Sequence, residues 1–266
     1  MASLLRDADA LRPVLDARAA WIASRVEATG RSGVVLALSG GIDSALSLAL
    51  AARGLGADRI TAVHLPSRHT DAVHLDDAQA VARAVGLPDE ALRVVSIEPL
   101  VLGVTATRIE AGDTDLRLGN ASARCRMIVV FDLAAELGAL VLGTENRTEN
   151  LLGYFTRFGD AASDLEPLSD LYKTEVRTAA GLLGVPESII AKDPTAGLWA
   201  GQTDEDELGF TYREADLALS ALHDGGLEPG AAAEVTGVSR EVVDRVAARV
   251  AEVAWKHEVP YLPPTA

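Results

Sequence analysis

The segment from Gly33 to Ser44 constrains this chain more than any other. Val34-Val35-Leu36-Ala37-Leu38 is a short, wholly apolar run, bounded by Gly33 and running into Ser39-Gly40-Gly41-Ile42-Asp43-Ser44. An apolar run without alternation suits a strand covered on both faces, and so a parallel sheet with helices on either side. The turn leads into a helix over Ser44 to Arg53 that ends near Gly54. A Gly-rich turn at a helix N-terminus points backbone N–H groups and the positive end of the helix dipole at an anion. Ser39 and Ser44 add hydroxyl donors. Asp43 would repel a phosphate unless a cation intervenes, which makes it a candidate Mg2+ ligand. The turn lacks the Lys of the Gly-x-x-x-x-Gly-Lys-Ser/Thr loop, so it is not of the type that presents a γ-phosphate for transfer.

The strand-helix alternation repeats around this unit. Leu4, Leu5, Leu11, Leu15, Trp21, Ile22 and Val26 fall at helical spacing and predict N-terminal helices within residues 1–30, divided at Pro13. Arg59 to Leu65, Ala91 to Ile97 and Ala139 to Leu142 read as further strands; Val73 to Val85, closed by Gly86, and residues 119–137 read as helices. The pattern predicts right-handed crossovers and an α/β fold, a doubly wound, mostly parallel sheet flanked by helices. Beyond Gly143 the alternation stops. Residues 143–170 are rich in Gly, Asp, Asn and Ser, a loop long enough to be functional. Pro194 to Glu207 reads as a lid, so 143–210 is expected to carry active-site loops and lid. Helices at 172–183, 211–223, 230–236 and 239–256 predict a helical C-terminal part over 211–260. A single domain over residues 1–266 is expected.

Composition narrows the function. Hydrophobic residues make up 48% of the chain and aromatics only 4%, so the core is built from Ala, Val, Leu and Ile. No apolar run approaches the roughly 20 residues of a membrane span. Arg6, Asp7, Asp9 and Arg12 at the start are unlike a secretory signal, which predicts a cytoplasmic protein. Cys125 is the only cysteine, which excludes an internal disulfide, a Cys-cluster metal site and a two-cysteine persulfide relay. With 24 Lys plus Arg against 39 Asp plus Glu, the net charge of −15 opposes nucleic-acid binding, which needs basic surface. It does not oppose a small phosphorylated ligand, for which a few inward cations and a metal suffice.

The hexapeptide Ser39 to Ser44 resembles the pyrophosphate loop of the N-type ATP pyrophosphatases, whose fold is adenine nucleotide alpha hydrolase-like and which adenylate a substrate and release pyrophosphate. Amidating, thiolating and ligating members share it. Five further motifs narrow the choice: Gly119-Asn120-Ala121-Ser122-Ala123-Arg124-Cys125-Arg126-Met127-Ile128, Val141 to Asn146, Gly153 to Asp160, Pro167 to Thr174, and Gly201 to Gly209. In this order they resemble the ammonia-dependent NAD+ synthetases, over about residue 20 to residue 260.

That resemblance implies ATP-dependent amidation of deamido-NAD+ with ammonia. The nicotinate carboxylate is adenylated with release of pyrophosphate, and ammonia then displaces AMP. Carried over by position, it implies ATP contacts at Ala37, Leu38, Ser39, Gly40, Gly41, Ile42, Asp43, Ser44, Thr144, Lys173 and Thr195. Mg2+ would sit on Asp43 and Glu149, and deamido-NAD+ on Arg124, Arg157, Asp164, Trp255 and Lys256. Asp43, Lys173, Ser39 and Ser44 would carry the catalysis, with Lys173 over the departing pyrophosphate. Arg124 and Arg126, two apart on a helix, do not share a face, so one reaches ligand and the other is structural; family position favours Arg124. The resemblance also implies a homodimer. Only about 30 residues precede the first strand, which leaves no room there for an amidase domain and points to free ammonia or ammonia delivered by a partner.

Three departures from the family pattern fall on the acceptor side: Arg157 in place of Lys, Ala161-Ala162 in place of Gly-Gly, and Trp255 in place of His. They keep open an adenylating amide ligase of the same fold acting on another carboxylate. A tRNA-modifying enzyme is opposed by the charge and the single cysteine, and a non-catalytic nucleotide module by Asp43, Glu149 and Lys173.

Overall fold

A computed structural model describes residues 4–68, 70, 72–108, 115–192, 204–258, 260, 261 and 263. Its sheet has four strands, β1 (Val34–Ala37), β2 (Ile60–His64), β3 (Leu92–Val94) and β4 (Leu140–Val141), all parallel and in the order β3-β2-β1-β4. In the first half, the helices are α1 (Ala8–Thr29), α2 (Ile42–Leu55), α3 (Val73–Ala84), α4 (Glu98–Arg108), α5 (Asp115–Leu137) and α6 (Arg147–Leu151). They continue with α7 (Lys173–Leu182), α8 (Glu187–Ile190), α9 (Asp204–Leu208), α10 (Tyr212–Leu219), α11 (Pro229–Thr236) and α12 (Arg240–Val253).

The apolar strand sequence is explained by two-sided burial. Val34, Leu36 and Leu38, with Ile60, Ala62 and Leu142, pack into a core with α1, α2, α3 and α7. Val35, Val63 and Val141 point the other way, into a core with Val101 of α4 and Cys125, Val130 and Leu133 of α5. Alternate side chains thus enter alternate cores, and no position on the central strand is left for a polar residue. A third cluster joins α10, α11 and α12 to Leu152 and Tyr172. Its helices form the C-terminal part.

The chain runs from β1 outward to β2 and β3, then returns to pair β4 with the other side of β1, at Val34 with Leu140. The strand order reverses there, so the C-terminal ends of β1 and β4 flank the crevice where open α/β sheets bind ligands. Leu165 continues the sheet by a single parallel bridge to Leu142.

The elements differ from expectation in places. α1 runs unbroken through Pro13, which lies near its start, so that only one intrahelical bond is forgone. α2 continues past Gly54 to Gly56, because Gly54 is where α1 crosses: a Cβ there would lie 2.1 Å from the carbonyl oxygen of Ala19. β3 is shorter than Ala91 to Ile97. α4 and the first turn of α5 carry little periodic signal and went unread; α6 interrupts the expected 143–170 loop. Of the lid Pro194 to Glu207, residues from Asp204 onward belong to α9, while Thr195 and the rest lie outside the described residues. No helix among the described residues is long and apolar enough to cross a membrane.

Candidate active site

α2 begins inside the expected phosphate cradle, at Ile42, two residues before the predicted start at Ser44. Gly41 is its N-cap, and Gly40 stands at φ 85°, where a side chain would also meet the carbonyl oxygen of His74 at 2.5 Å. Only glycine fits both the backbone and the contact. The turn is held by its serines: the Ser39 and Ser44 hydroxyls lie 3.1 Å apart, Gly41 N–H donates to Ser39 Oγ at 3.2 Å, and Ser44 Oγ donates to Gly41 O at 2.9 Å. Ser39 and Gly41 remain exposed, whereas Ser44 is buried.

Asp43 lies in the first turn of α2 and meets two residues more than a hundred positions away. Lys173 Nζ donates to Asp43 Oδ2 at 2.6 Å and to Glu149 Oε1 at 2.7 Å. Lys173, the first residue of α7, is only 3% exposed, and its ammonium stands 5.1 Å from the centre of the Tyr212 ring. Burial lowers the lysine's proton affinity, but the two carboxylates outweigh it and hold the ammonium above its ordinary pKa. Glu149 is pushed up by burial, and by the charge of Asp43, against the pull of Lys173. Two carboxylates against one ammonium leave a negative charge at a point where oxygens from α2 and α6 converge. A cation that takes few protein ligands and keeps water and phosphate oxygens for the rest, as Mg2+ does, fits this donor pair.

Asn146 sets the angle between these groups. It is fully buried and caps α6 by accepting from Glu149 N–H at 3.0 Å, while its Nδ2 donates to Asp43 Oδ1 at 2.8 Å. Its signal in the sequence is an Asn three residues before a Glu at a helix start, the pattern of a cap.

A continuous cavity of about 1250 Å³ runs from this cluster past Thr144 to Trp255. Among the described residues its wall carries nine Lys or Arg side chains and seven Asp or Glu, so in a chain of net charge −15 the cavity itself is positive. Ala37 to Ser44, Thr144, Glu149, Lys173, Arg124, Arg157, Trp255 and Lys256 all line it. Asp164 does not: it is exposed, and its carboxylate accepts from Val141 N–H at 2.7 Å, pinning the segment beside β4. His64 also lines the cavity, buried, with Nδ1 donating to Leu38 O at 2.9 Å.

At the far end Arg157 lies 5.0 Å from the Trp255 ring and 5.2 Å from that of Phe158, so two of the three departures form one cation–π contact. The third is benign: neither Ala161 nor Ala162 stands at positive φ, which falls instead on Phe158, at 61°. Arg124 donates to Arg157 O at 3.2 Å, and Lys256 to Gly153 O at 2.5 Å and to Phe155 O. Arg126, expected to be structural if Arg124 reaches ligand, lines the cavity as well and donates to Leu65 O at 3.1 Å. Long arginine stems bring both into one wall despite their spacing.

Sequence reasoning also missed a pair of carboxyls, one of them in the wall. Glu145 is raised to about 8, by burial and then by the charges of Glu166 and Asp160. Glu166 is raised to about 7 by burial, against the hydrogen bond that Ser163 donates at 2.7 Å. Glu145 falls within the Val141 to Asn146 motif, but neither residue carries a local signal of burial.

A helix N-terminus beside a lysine bridged to two carboxylates suits a polyphosphate carried with a divalent cation, and the switch-point location agrees. The fold and site together define an α/β nucleotide-dependent enzyme. The chain matches the NAD synthase family over residues 14–260, and it belongs to that family. It is 42% identical over 240 residues to the NH(3)-dependent NAD(+) synthetase of Methanosarcina mazei, covering 88% of this chain and 92% of that protein. NMN synthetase from Francisella tularensis superposes with a TM-score of 0.82 at 31% identity, over 96% of this chain and 98% of that one. The NH3-dependent NAD synthetase from Campylobacter jejuni gives 0.79 at 27% identity, over 97% and 100%.

Proposed function

We propose that this enzyme is a ligase that amidates deamido-NAD+ with ammonia, using ATP and giving NAD+, AMP and pyrophosphate. The observation that carries the reading is the convergence of Asp43, Glu149 and Lys173 at the N-terminus of α2. A carboxylate is a poor acyl acceptor because oxide would have to leave; adenylation replaces oxide with AMP. Negative charge builds on the departing pyrophosphate, so donors aimed there contribute most to the rate. The amide of Gly40, the α2 dipole, the serine hydroxyls and Lys173 are those donors, and Ala37, Leu38, Gly41, Ile42, Thr144 and Thr195 complete the ATP contacts. Asp43 and Glu149 would hold Mg2+, which supplies Lewis-acid stabilisation of the phosphate charge when bound.

On the acceptor side Arg124, Arg157, Trp255 and Lys256 face the nicotinate-bearing substrate, the Arg157–Trp255 stack offering a flat cationic surface, while Asp164, outside the cavity, supports the segment beside β4. The positive cavity draws both anionic substrates into an acidic protein. Exposed Val104 on α4 and Ile128 on α5, which line one shallow depression, support a homodimer through that face, and the enzyme is taken to be cytoplasmic and a single domain.

Incubation with ATP, Mg2+, ammonium and deamido-NAD+, followed by mass spectrometry, should give NAD+ and AMP; absence of both sinks the reading. The likeness to an NMN synthetase favours a second acceptor, nicotinate mononucleotide, which belongs in a parallel reaction. Higher kcat/KM with the mononucleotide would move the acceptor while leaving the chemistry unchanged.

A further inference from the structure

We infer that Asp216 is a positioning residue for the Asp43–Glu149–Lys173 cluster, acting through Thr148 and Thr174 to lock α6 and α7 in one register. The inference rests on the ATP-dependent reading of that cluster.

Asp216 lies midway along α10 and is fully buried. Its Oδ1 accepts from Thr148 Oγ1 at 2.5 Å, and its Oδ2 accepts from both the N–H and the hydroxyl of Thr174 at 2.7 Å. The Thr148 hydroxyl, having donated to Asp216, accepts from Lys173 N–H at 2.9 Å. The first N–H groups of a helix have no partner within it. Those of α7 at Lys173 and Thr174 are satisfied by side chains of two other helices, so α7 begins correctly only where α6 and α10 dock against it.

The two threonines each sit one residue from a member of the cluster: Thr148 before Glu149, Thr174 after Lys173. Fixing both to one carboxylate fixes where the Glu149 carboxylate and the Lys173 ammonium can meet. α10 adds a second contact one turn earlier, where Tyr212 lies under the Lys173 ammonium and donates to Asp204 at 2.9 Å. A carboxylate buried among neutral donors costs stability that an apolar side chain of similar volume would not. Burial holds Asp216 up at about 6, and its hydrogen bonds offset this only in part. Packing alone gives no reason for it; orientation does, since a misplacement of about 1 Å at a reacting centre costs roughly 100-fold in rate.

The variants that test this are Asp216→Asn, Thr148→Val and Thr148→Ser, assayed with whichever acceptor the wild-type enzyme turns over. Asn keeps the shape but turns an acceptor into a donor, stranding the hydroxyl hydrogen of Thr148 or the two donors of Thr174. Val keeps the volume of Thr148 and removes the relay. We expect kcat to fall about 10- to 100-fold in both with the acceptor KM little changed, and the thermal midpoint to drop by a few degrees from the stranded donors while the enzyme stays folded at the assay temperature. Thr148→Ser, which keeps the hydroxyl, should recover most of the rate lost in Val. The Asp216→Asn/Thr148→Val double variant should be no slower than the worse single one, because both cut one chain.

The inference is overturned if both single variants stay within about twofold of wild type, if the loss follows the unfolded fraction, or if the double variant is additive. Should Asp216→Asn not fold, the Val and Ser pair at Thr148 decides alone. A wild-type enzyme without turnover would count against the proposed reaction; a working wild type with indifferent variants counts against Asp216 only.

Discussion

Lys173 is 3% exposed and Trp255 is 52% exposed, and the contrast separates the two ends of one cavity. At the phosphate end, charged groups are buried and tied to one another across α2, α6 and α7, and their backbones are tied again through Asn146, Thr148 and Asp216. At the acceptor end, long cationic side chains rest on exposed aromatic rings and donate to loop carbonyls. A buried ion cluster tolerates little, because removing one member leaves an uncompensated charge in a poor solvent. A solvated cation–π contact can exchange members with small loss. The departures from the family pattern fall where the physics permits them.

The largest effect that would sharpen this contrast is on stability. Lys173→Met leaves Asp43 and Glu149 facing each other without a counter-charge, and about 3–5 kcal/mol should be lost in urea unfolding. Added Mg2+ should restore more stability to this variant than to wild type; equal stability without metal would mean the cluster is not electrostatically coupled.

Next is the rate. Asp43→Ala should slow pyrophosphate release about 100- to 1000-fold, the scale of losing one preorganised charge-stabilising group, with a native circular-dichroism spectrum. Retained activity would place metal and phosphates elsewhere.

A pH series tests the wall between the two ends. Glu166 and Glu145 titrate near 7 and 8 in the folded state, against an ordinary value of 4.5. The folded state therefore holds their protons more tightly. The stability they contribute is fully present below about 4.5 and is lost as pH rises through 7 and then 8. The urea midpoint should fall between pH 6 and pH 8.5 by a margin that Glu166→Gln reduces; an unchanged slope in that variant would show the carboxyl to be solvated.

The smallest effect belongs to the exposed end. Trp255→Ala should raise the acceptor KM by about two- to fivefold, equivalent to roughly 0.5–1 kcal/mol, and leave the ATP KM unchanged. Arg157→Lys with Trp255→His, which restores the family pattern, should be tolerated better together than either alone. A rise in the ATP KM would break the division between the two ends.

Much of this was legible without coordinates, for reasons visible in particular residues. The run Val34 to Leu38 announces two-sided burial because each of its side chains must enter one of two cores. Gly40 announces the cradle because no other residue fits that backbone at that contact. Pro13 does not divide α1 and Gly54 does not end α2, because helix packing overrides both local signals: α1 lies across α2 at Gly54, where only a glycine lets it approach. That Glu145 and Glu166 are buried and raised in pKa is not visible in sequence, since a proton held by burial leaves no mark in the residue order.

The chain alone therefore determined its fold class and the Gly-rich turn between strand and helix, because local periodicity encodes them, while Asp43, Glu149 and Lys173 came together as a set only through the family resemblance. Tertiary structure alone decided that Lys173 meets both carboxylates, that Arg157 and Trp255 are partners, and that Asp216, on a helix with no motif of its own, reaches the threonines beside the cluster. Those contacts span 24 to 130 residues along the chain. Only the packing of helices on the sheet brings such residues within a hydrogen bond of one another.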